Sequence, residues 1–432
     1  MATQAEPLLT GPDAQAIIDP ANYVDWDAML DRFDRLRSET PVVKVVNDEV
    51  HDPFWLVTRY DDVMQVSKDN KLFLNSPRSV TFSDKNSGAF VKSITGGDPN
   101  LVRSLVALDA PTHPQYRRLT QDWFMPKNIR QMEDEISALA SSTVDRLVDA
   151  GGEADFVPLV SAPYPLHVVM QILGVPEADE QRMLFLTQQM FGGQDEDLNK
   201  SGMADMTPAQ IMQLVVGAVA DFEAYFAKLT EEKRANPTDD VASVIANAKV
   251  DGAHLSDRDM AGYYIILAAA GHDTTSASTA GAMMALARDP EQFARLKADR
   301  DLLPGIVEEA IRWTTPVQHF MRTAAEDTEL GGQKIAKDDW LMISYIAANH
   351  DPAVFSDPRK FDASRSPNRH LSFGAGAHQC LGLHMARMEM KILFNELLDR
   401  IETLELAGAP VRAKSTFVGG LKTLPIRYTL SK

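Results

Sequence analysis

The chain has 432 residues and a formal net charge of -18 at pH 7, with 61 acidic residues against 43 Lys and Arg. This balance lacks the basic surplus that neutralises nucleic-acid phosphates, so we expect no nucleic-acid partner. The single cysteine, Cys380, excludes an intrachain disulfide, which fits a reducing cytoplasm.

The first 20 residues contain acidic side chains and no basic segment followed by an apolar one. We therefore expect a flexible N-terminus over residues 1–20 and no secretory signal. The apolar run at 261–271 is far shorter than the roughly 20 residues that a membrane span needs. The sequence predicts a soluble, cytoplasmic protein without a membrane partner.

In chain order, the spacing of apolar residues predicts a mostly α-helical protein with a small β region. The expected elements are a strand at 55–58, a glycine-containing loop at 76–99, helices at 131–146, 208–233, 256–288, 290–298 and 303–313, a strand at 340–345, a helix at 383–402, and strands around Thr416 and at 426–430. Ser256 is the expected N-cap of the longest helix. The sequence contains no internal repeat, and no linker rich in Pro, Gly or Ser divides it. Residues 21–432 are therefore expected to form a single large domain.

Cys380 ends a glycine-rich loop, 373–382, directly before a predicted helix. The N-terminus of a helix carries partial positive charge, which favours the thiolate form of a nearby cysteine. Glycines also let the backbone approach the sulfur and donate hydrogen bonds to it. From these residues alone, an inert buried thiol, a hydrolase nucleophile using His378 or His384, and a phosphate-binding loop all stay open.

A second pattern interrupts the helix predicted at 256–288, where Gly271 precedes Asp273, Thr274 and Thr275. Threonine hydroxyls can bond backbone carbonyls of the helix, so we expect a local distortion with a groove beside it. In the alternative interpretation, both hydroxyls bond only to the preceding turn, and Asp273 is paired or solvated.

Glu309 and Arg312 are three residues apart, the spacing at which an acid and a base on one helix can form an ion pair. Exposed pairs of this kind are common and contribute only about 0.2–0.5 kcal/mol. On its own, the pair indicates a solvated helix face.

Phe373, Gly376, His378, Cys380 and Gly382 resemble the haem-binding loop of the cytochrome P450 family, whose pattern is F-x-x-G-x-H/R-x-C-x-G. The resemblance implies that family's mostly helical fold, a haem b cofactor and Cys380 as the axial iron ligand. It also implies that His378 binds a haem propionate and that the other loop residues contact the cofactor.

Two further segments resemble the parts of the family that bind propionates. His113 and Arg117 match a stretch with the pattern H-x-x-x-R, and Arg322 matches a second propionate arginine. His370 is expected to be structural rather than a ligand.

The remaining matches imply catalytic and structural roles. Residues 271–275 resemble the distal helix, which implies that Thr274 contacts dioxygen and that Asp273 relays protons. Glu309, Arg312 and Arg365 resemble a buried ion network with a structural role, so removing one member is expected to cost haem incorporation.

The resemblance implies a monooxygenase that inserts one oxygen atom of dioxygen into a C–H bond of a small hydrophobic substrate. The expected pocket residues are Ile265, Ile266, Ala269, Ala270, Val317, Phe320 and Phe417. The distal helix is most similar to that of family members that hydroxylate monoterpenoids such as terpineol. This similarity implies a terpenoid, or a cyclic or aromatic hydrocarbon, as the substrate.

Electrons have to come from another protein, because the chain has no dinucleotide fingerprint and no cysteine cluster. The resemblance implies a [2Fe–2S] ferredoxin with its NAD(P)H-dependent reductase, docking near Arg118, Lys127, Arg130 and Arg387. Two other activities of a haem-thiolate protein stay open: a peroxygenase, and a non-catalytic gas sensor or electron carrier.

Overall fold

The computed structural model describes residues 6–47, 49–191, 194–197 and 207–431. Its α-helices are α1 (Gly11–Ile18), α2 (Trp26–Glu39), α3 (Tyr60–Lys68), α4 (Lys85–Ile94), α5 (Thr112–Gln121), α6 (Pro126–Ile129), α7 (Glu133–Asp149), α8 (Pro163–Ile172), α9 (Glu177–Phe191), α10 (Pro208–Ala235), α11 (Val241–Asn247), α12 (Asp257–Arg288), α13 (Pro290–Ala298), α14 (Leu303–Thr314), α15 (Tyr345–Asn349) and α16 (Leu383–Arg400). Its strands are β1 (Leu8–Leu9), β2 (Val42–Val45), β3 (Phe54–Val57), β4 (Phe73–Leu74), β5 (Glu153–Asp155), β6 (Lys249–Val250), β7 (Ala253–His254), β8 (His319–Ala324), β9 (Thr328–Leu330), β10 (Gln333–Ile335), β11 (Trp340–Ser344), β12 (Ile401–Leu406), β13 (Val411–Arg412), β14 (Leu421–Thr423) and β15 (Pro425–Leu430).

The strands form one six-stranded sheet and four smaller ones among the residues that the structure describes. The large sheet has the order β1-β2-β3-β11-β8-β4, in which β1 runs parallel to β2 and β3 runs parallel to β11. Its other neighbours are antiparallel. Because side chains two residues apart share a face of a strand, Phe320 and Arg322 of β8 point to the same side. That side faces the cavity described below.

The longest helix, α12, is the centre of the helical core. It has 32 residues, which corresponds to about 48 Å at 1.5 Å per residue. Ser256 caps it as predicted, because its hydroxyl accepts a hydrogen bond from the Asp259 N–H. Every residue from 275 to 287 is buried, which is typical of a helix surrounded by protein. Helices α8, α10 and α14 pack against it.

The predicted elements are largely confirmed. The six helices expected from 131 onwards begin and end within three residues of α7, α10, α12, α13, α14 and α16, and the strands expected at 55–58, 340–345 and 426–430 correspond to β3, β11 and β15. The strand expected around Thr416 is wrong, since only an isolated bridge joins Val418 to Val317 there. The ladder does not continue towards Thr416, because the Phe417 N–H donates to the Ser415 hydroxyl and the Gln318 carbonyl accepts from the Tyr345 N–H.

The N-terminal segment differs from the flexible tail expected over residues 1–20. Leu8–Leu9 pairs in parallel with β2, and α1 buries Ala14 and Ile17 in the apolar cluster beside the large sheet. The segment contains Pro7, Gly11 and Pro12, so the few side chains that reach the core leave a weak pattern in the sequence.

The loop expected at 76–99 also differs, because it contains the helix α4. Asp84 caps this helix by accepting a hydrogen bond from the Ser87 N–H. Gly88 lies inside the helix, where glycine is unfavourable and hides the helical pattern. The helix ends before Gly96 and Gly97, which both have positive φ.

No single helix in the described ranges is long and apolar enough to cross a bilayer. One bent pair, Val157–Ile172 with Glu177–Met190, meets the criteria of length and composition, and its two parts form an angle of 113°. Most of the side chains of α8, in the first part, are buried in the protein core.

A buried ion cluster joins α14 to the segment that precedes the Cys380 loop. We define the Glu309 cluster as Glu309, Arg312, Arg365 and Asn368. The Glu309 carboxylate and the Arg312 guanidinium are buried and form two hydrogen bonds of 2.7 and 2.8 Å. Arg365 Nε lies 3.1 Å from both carboxylate oxygens, and the Asn368 amide donates to one of them at 3.0 Å. The structure thus brings together the three charged residues that the sequence assigns to a structural network.

The Glu309 cluster also bonds the surrounding backbone. Arg312 donates to the carbonyls of Asn349 and Pro358 at 2.8 and 2.9 Å. Glu309 accepts from the Asp362 N–H at 3.0 Å. Three charged side chains therefore organise an irregular stretch from 349 to 368, which leads into the loop that carries Cys380.

We predict that Glu309→Gln lowers the free energy of unfolding by about 3–5 kcal/mol, because two buried guanidinium groups lose their countercharge. Denaturant titration followed by tryptophan fluorescence measures the change. The matched control is Glu153→Gln, which breaks an exposed pair with Arg427 and is expected to change stability little. Equal stability of the two variants would contradict the assigned role.

Candidate active site

A cavity of about 480 Å³ lies between α12, the start of β8 and the loop 373–382. All seven residues that the sequence assigns to a substrate pocket line it: Ile265, Ile266, Ala269, Ala270, Val317, Phe320 and Phe417. Asp273, Thr274 and Cys380 line the same cavity. The structure therefore brings the thiol, the polar residues of α12 and the apolar side chains to one space.

Two glycines shape the loop that carries Cys380. Gly374 and Gly376 have φ of +66° and +74°, a region that residues with a Cβ rarely adopt. The Cys380 N–H donates to the Phe373 carbonyl at 2.8 Å and so closes the loop. Gly376 also packs closely on α3, because a Cβ there would lie 2.7 Å from the carbonyl oxygen of Ser67. Its contact with the cofactor stays a prediction.

Cys380 lies three residues before the first residue of α16. The residue lines the cavity and is accessible there. Burial raises the pKa of the Cys380 thiol, whereas the Gly382 N–H and the charges of Arg117 and Arg387 lower it. Because burial has the largest effect, a thiolate at this position needs a cation beside the sulfur, such as a metal ion.

Four donor side chains reach the cavity from three elements. We call them the donor group: His113 and Arg117 from α5, Arg322 from β8 and His378 from the Cys380 loop. The rings of the two histidines lie 4.0 Å apart, centroid to centroid. Nε2 of each has no hydrogen-bond partner among the described residues, and the Arg322 guanidinium donates to the Met321 carbonyl at 2.8 Å.

None of the members of the donor group forms an ion pair with a carboxylate in the described ranges, although the charge of Asp109 acts on Arg322 and His113. Burial and the charge of Arg322 lower the pKa of His378 to about 2. Burial and the charge of Arg117 lower the pKa of His113 to about 4. Buried guanidinium groups with imidazole donors beside them suit an anion with several acceptor oxygens.

The donor set around Cys380 also limits the kind of metal that could bind there. No group of three or more His, Cys, Asp or Glu side chains in the described part of the chain could hold a metal ion. A metal beside Cys380 must therefore bring most of its own ligands. A porphyrin that holds iron and carries two carboxylates meets the needs of both the thiol and the donor group.

Helix α12 has no break at residues 271–275, and the local distortion expected there stays a prediction. The glycine in this stretch allows close packing. A Cβ at Gly271 would lie 2.6 Å from Cγ2 of Val169 on α8, and both residues line the cavity. The small residue thus lets two helices approach each other at the cavity wall.

The polar residues of α12 have different partners. The Thr274 hydroxyl donates to the Ala270 carbonyl at 2.7 Å, as the alternative interpretation expected, whereas the Thr275 hydroxyl donates to Glu389 and not to the preceding turn. Asp273 is partly exposed, and one of its carboxylate oxygens lies 3.0 Å from His272 Nδ1 without the geometry of a hydrogen bond. Asp273 is therefore neither deeply buried nor locked in a guanidinium pair.

Sequence reasoning missed Glu389 as part of the cavity wall. This buried residue of α16 accepts a hydrogen bond from the Thr275 hydroxyl at 3.0 Å. Burial raises the pKa of the Glu389 carboxyl well above its usual value, and this side chain joins α16 to α12. The sequence did contain a signal for it. Glu389 lies four residues from Met385 and four from Leu393, so it is an acid on the apolar face of the predicted helix.

His370 and Arg387 both bind Glu308 outside the cavity. His370 Nε2 lies 3.2 Å from the Glu308 carboxylate, and Arg387 donates to it at 2.5 and 2.8 Å. Although burial opposes the effect, hydrogen bonds from Arg387 and His370 lower the pKa of Glu308 to about 2. Arg387 also lies 4.7 Å above the Phe373 ring, so it supports the Cys380 loop from outside.

A sequence model of the family described as Cytochrome P450 matches residues 48–430. The chain belongs to the cytochrome P450 family. The protein Cytochrome P450-terp from Pseudomonas sp is 46% identical over 416 residues, which cover 96% of this chain and 97% of that protein. Linalool 8-monooxygenase from Pseudomonas putida is 32% identical over 400 residues, which cover 92% and 94% of the two chains. The crystal structure of CYP108D1 from Novosphingobium aromaticivorans DSM12444 is 63% identical, with a TM-score of 0.92, and the match covers 98% of this chain and 100% of that chain.

As a cytochrome P450, the protein is a haem-thiolate oxidoreductase whose cofactor is haem b. The residues present fit that cofactor. Cys380 offers a sulfur ligand without competing protein ligands, and the donor group offers two guanidinium groups and two imidazoles to carboxylates.

We predict that Arg322→Met weakens haem retention, because Arg322 is buried and faces the cavity without a carboxylate partner. Loss of a charge-assisted hydrogen bond corresponds to about 10- to 100-fold faster transfer of haem to apomyoglobin. The exposed neighbour of Arg117 on the same helix supplies the control, since Arg118→Met is expected to leave the transfer rate unchanged. Equal transfer rates for the two variants would show that Arg322 does not hold the cofactor.

Proposed function

We propose that this cytochrome P450 hydroxylates a small apolar terpenoid, inserting one oxygen atom of dioxygen into a C–H bond. The observation that carries the proposal is the largely apolar cavity, which contains both Cys380 and Thr274 in its wall. One relative is named as a linalool 8-monooxygenase, and linalool is a small monoterpenoid. This name supports the same substrate class for the present chain.

The chemistry of the cavity wall favours an uncharged substrate. Ala269 and Ala270 present only methyl groups on α12, which leaves space beside Thr274. Phe320 and Phe417 form an aromatic part of the wall, with ring centroids 5.4 Å apart. Apart from the donor group, these surfaces offer a substrate mainly apolar contacts, so burial of its hydrocarbon surface drives binding.

We assign proton handling to Asp273 and Thr274. The Thr274 hydroxyl donates its hydrogen bond to the Ala270 carbonyl. Its Oγ1 is therefore still able to accept a hydrogen bond from a water molecule in the cavity. Asp273 is partly exposed, so its carboxylate can exchange protons with solvent. Together the two side chains can collect protons at Asp273 and order the water that carries them at Thr274.

When bound, haem supplies the activation of dioxygen, which its thiolate ligand favours. We assign Cys380 as the iron ligand and the donor group as the site of the two propionates. Phe373 and Gly382 line the cavity on either side of Cys380 in the sequence, and we assign them to the surface that contacts the cofactor. Glu309, Arg312 and Arg365 hold the loop and take no part in the chemistry.

We infer that the electrons come from a [2Fe–2S] ferredoxin served by its own NAD(P)H-dependent reductase. Arg118, Lys127 and Arg130 are exposed, and none of them forms an ion pair in the part of the chain that the structure describes. They lie on α5, on α6 and just after α6, and α6 packs against the helix that follows Cys380. On a chain with a net charge of -18, such a basic patch favours an acidic partner. Arg387 contributes less because Glu308 already binds it.

The test reconstitutes the haem-loaded protein with a [2Fe–2S] ferredoxin, its reductase and NAD(P)H under ¹⁸O₂. Terpineol and linalool are the candidate substrates, and testosterone is the larger comparison. We expect a monohydroxylated terpenoid with one labelled oxygen, formed only when ferredoxin is present. Product formed from hydrogen peroxide alone would indicate a peroxygenase, and absence of product from all three compounds would favour a non-catalytic haem protein.

The pair Thr274→Val and Thr274→Ser tests the proton path in the same assay. Valine has the shape of threonine without its hydroxyl, so it is expected to lower the product formed per dioxygen consumed by at least about tenfold. Serine keeps the hydroxyl and is expected to keep most of this yield. Equal yields for the two variants would remove Thr274 from the path.

A further inference from the structure

Two separate segments of the cavity wall meet at one buried side chain, His319. The first segment contributes Val80 and Thr81 to the wall, and the second contributes Phe417 and Val418. His319 is the first residue of β8, is only 2% exposed and is not itself part of the wall. It therefore lies directly behind the surface that a substrate would touch.

The His319 imidazole uses both of its ring nitrogens. Nδ1 lies 2.8 Å from the Thr416 carbonyl oxygen, so this nitrogen carries the proton and donates it. Nε2 accepts a longer hydrogen bond, of 3.4 Å, from the Phe82 N–H. The ring also packs against the Phe417 ring, with 5.6 Å between centroids. One side chain thus joins residue 82 to residues 416–417.

Only the neutral ring with its proton on Nδ1 can make both hydrogen bonds. Burial lowers the pKa of His319 to about 4, against the opposing effect of the Thr416 hydrogen bond. The imidazole is therefore neutral at pH 7, and Nε2 is available as an acceptor.

Other contacts hold the base of the second segment without His319. The Gln318 N–H donates to the Phe417 carbonyl, and the Gly419 N–H donates to the Pro316 carbonyl, both at 2.8 Å. Loss of the imidazole is thus expected to loosen the position of the Phe417 ring while the backbone of the segment stays attached. Because Phe417 packs on Phe320 within the wall, a shift of its ring changes the shape of the cavity.

We propose that His319 is a positioning residue that sets the shape of the substrate pocket by holding the segments at Phe82 and Phe417 at a fixed separation. The inference rests on the proposed function only in taking this cavity as the place where substrate binds. It assigns specificity to a residue that touches neither the substrate nor the cofactor.

The test uses two iron-binding probes, imidazole and 4-phenylimidazole, whose binding to the ferric haem-loaded protein shifts the Soret band. The phenyl group of 4-phenylimidazole has to fit against the cavity wall. Imidazole has no such group and does not depend on the shape of the wall. The ratio of the two dissociation constants therefore measures how well the cavity wall accepts the phenyl group. Changes in the affinity of the iron for the imidazole ring affect both constants equally and do not change the ratio. We expect His319→Leu to lower the preference for 4-phenylimidazole by about three- to tenfold, since both hydrogen bonds are lost.

Two conservative variants separate the two hydrogen bonds. His319→Asn places an amide donor near the position of Nδ1 and loses the acceptor, whereas His319→Gln places an acceptor near Nε2 and loses the donor. We expect His319→Asn to keep more of the preference, because the bond to Thr416 is the shorter one. Hydrogen exchange in peptides that contain residues 82 and 416–417 is expected to rise most in His319→Leu.

His350→Asn is the matched control for loss of a buried imidazole. His350 is equally buried and its Nδ1 lies 3.0 Å from the Ile346 carbonyl oxygen, but it lies away from the cavity wall. The variant His350→Asn is expected to lower the midpoint temperature of unfolding without changing the ratio of the two dissociation constants. An unchanged ratio in His319→Leu, or an equal change in His350→Asn, would overturn the inference.

If His319→Leu fails to bind haem, the ratio is measured in His319→Asn and His319→Gln. An unchanged ratio in both of these variants would overturn the inference. The probes do not depend on the identity of the natural substrate, so the ratio stays measurable if terpenoids are not hydroxylated. Conversely, hydroxylation with an unchanged ratio would leave the proposed function intact and reject the role of His319.

Discussion

The Glu309 carboxylate lies between the guanidinium groups of Arg312 and Arg365, and this buried cluster bonds the segment that leads into the Cys380 loop. The stretch from 349 to 368 has little regular structure, so its backbone groups need other partners, and the two arginines supply several of them. This stretch leads to Phe373, whose carbonyl accepts from the Cys380 N–H. A buried charge cluster is costly to desolvate, but once complete it fixes an irregular segment that apolar packing alone would leave loose.

The cavity beside this loop has an apolar wall, and it also contains a thiol and two guanidinium groups that lack a partner of opposite charge among the described residues. Burial raises the pKa of the Cys380 thiol, so a thiolate there needs a cation, while Arg117 and Arg322 need an anion. Haem b would meet both needs at once, since Cys380 would hold its iron and the donor group would hold its propionates. Folding of this region and binding of the cofactor are therefore expected to stabilise each other. The remaining wall, which includes Phe320 and Phe417, is left for an apolar substrate.

Sequence patterns predicted the parts of the structure that depend on neighbours in the sequence. The helices α12 and α16 follow from their apolar periodicity and the cap at Ser256, and the residues that line the cavity follow from the family resemblance. Sequence patterns missed Glu389, His319 and the packing of Gly376 on α3, because these contacts join residues that lie far apart in the chain. Helix α4 escaped prediction because a glycine in its interior weakens the local helical signal.

The account depends most on Cys380 binding the haem iron as a thiolate. The direct measurement is the absorption spectrum of the dithionite-reduced protein with and without carbon monoxide, for the wild type and for Cys380→His. We predict a strongly red-shifted Soret band for the carbon monoxide complex of the wild type, and loss of that shift in the variant. A wild-type spectrum without the shift, or a shift that survives in Cys380→His, would contradict thiolate ligation by this residue.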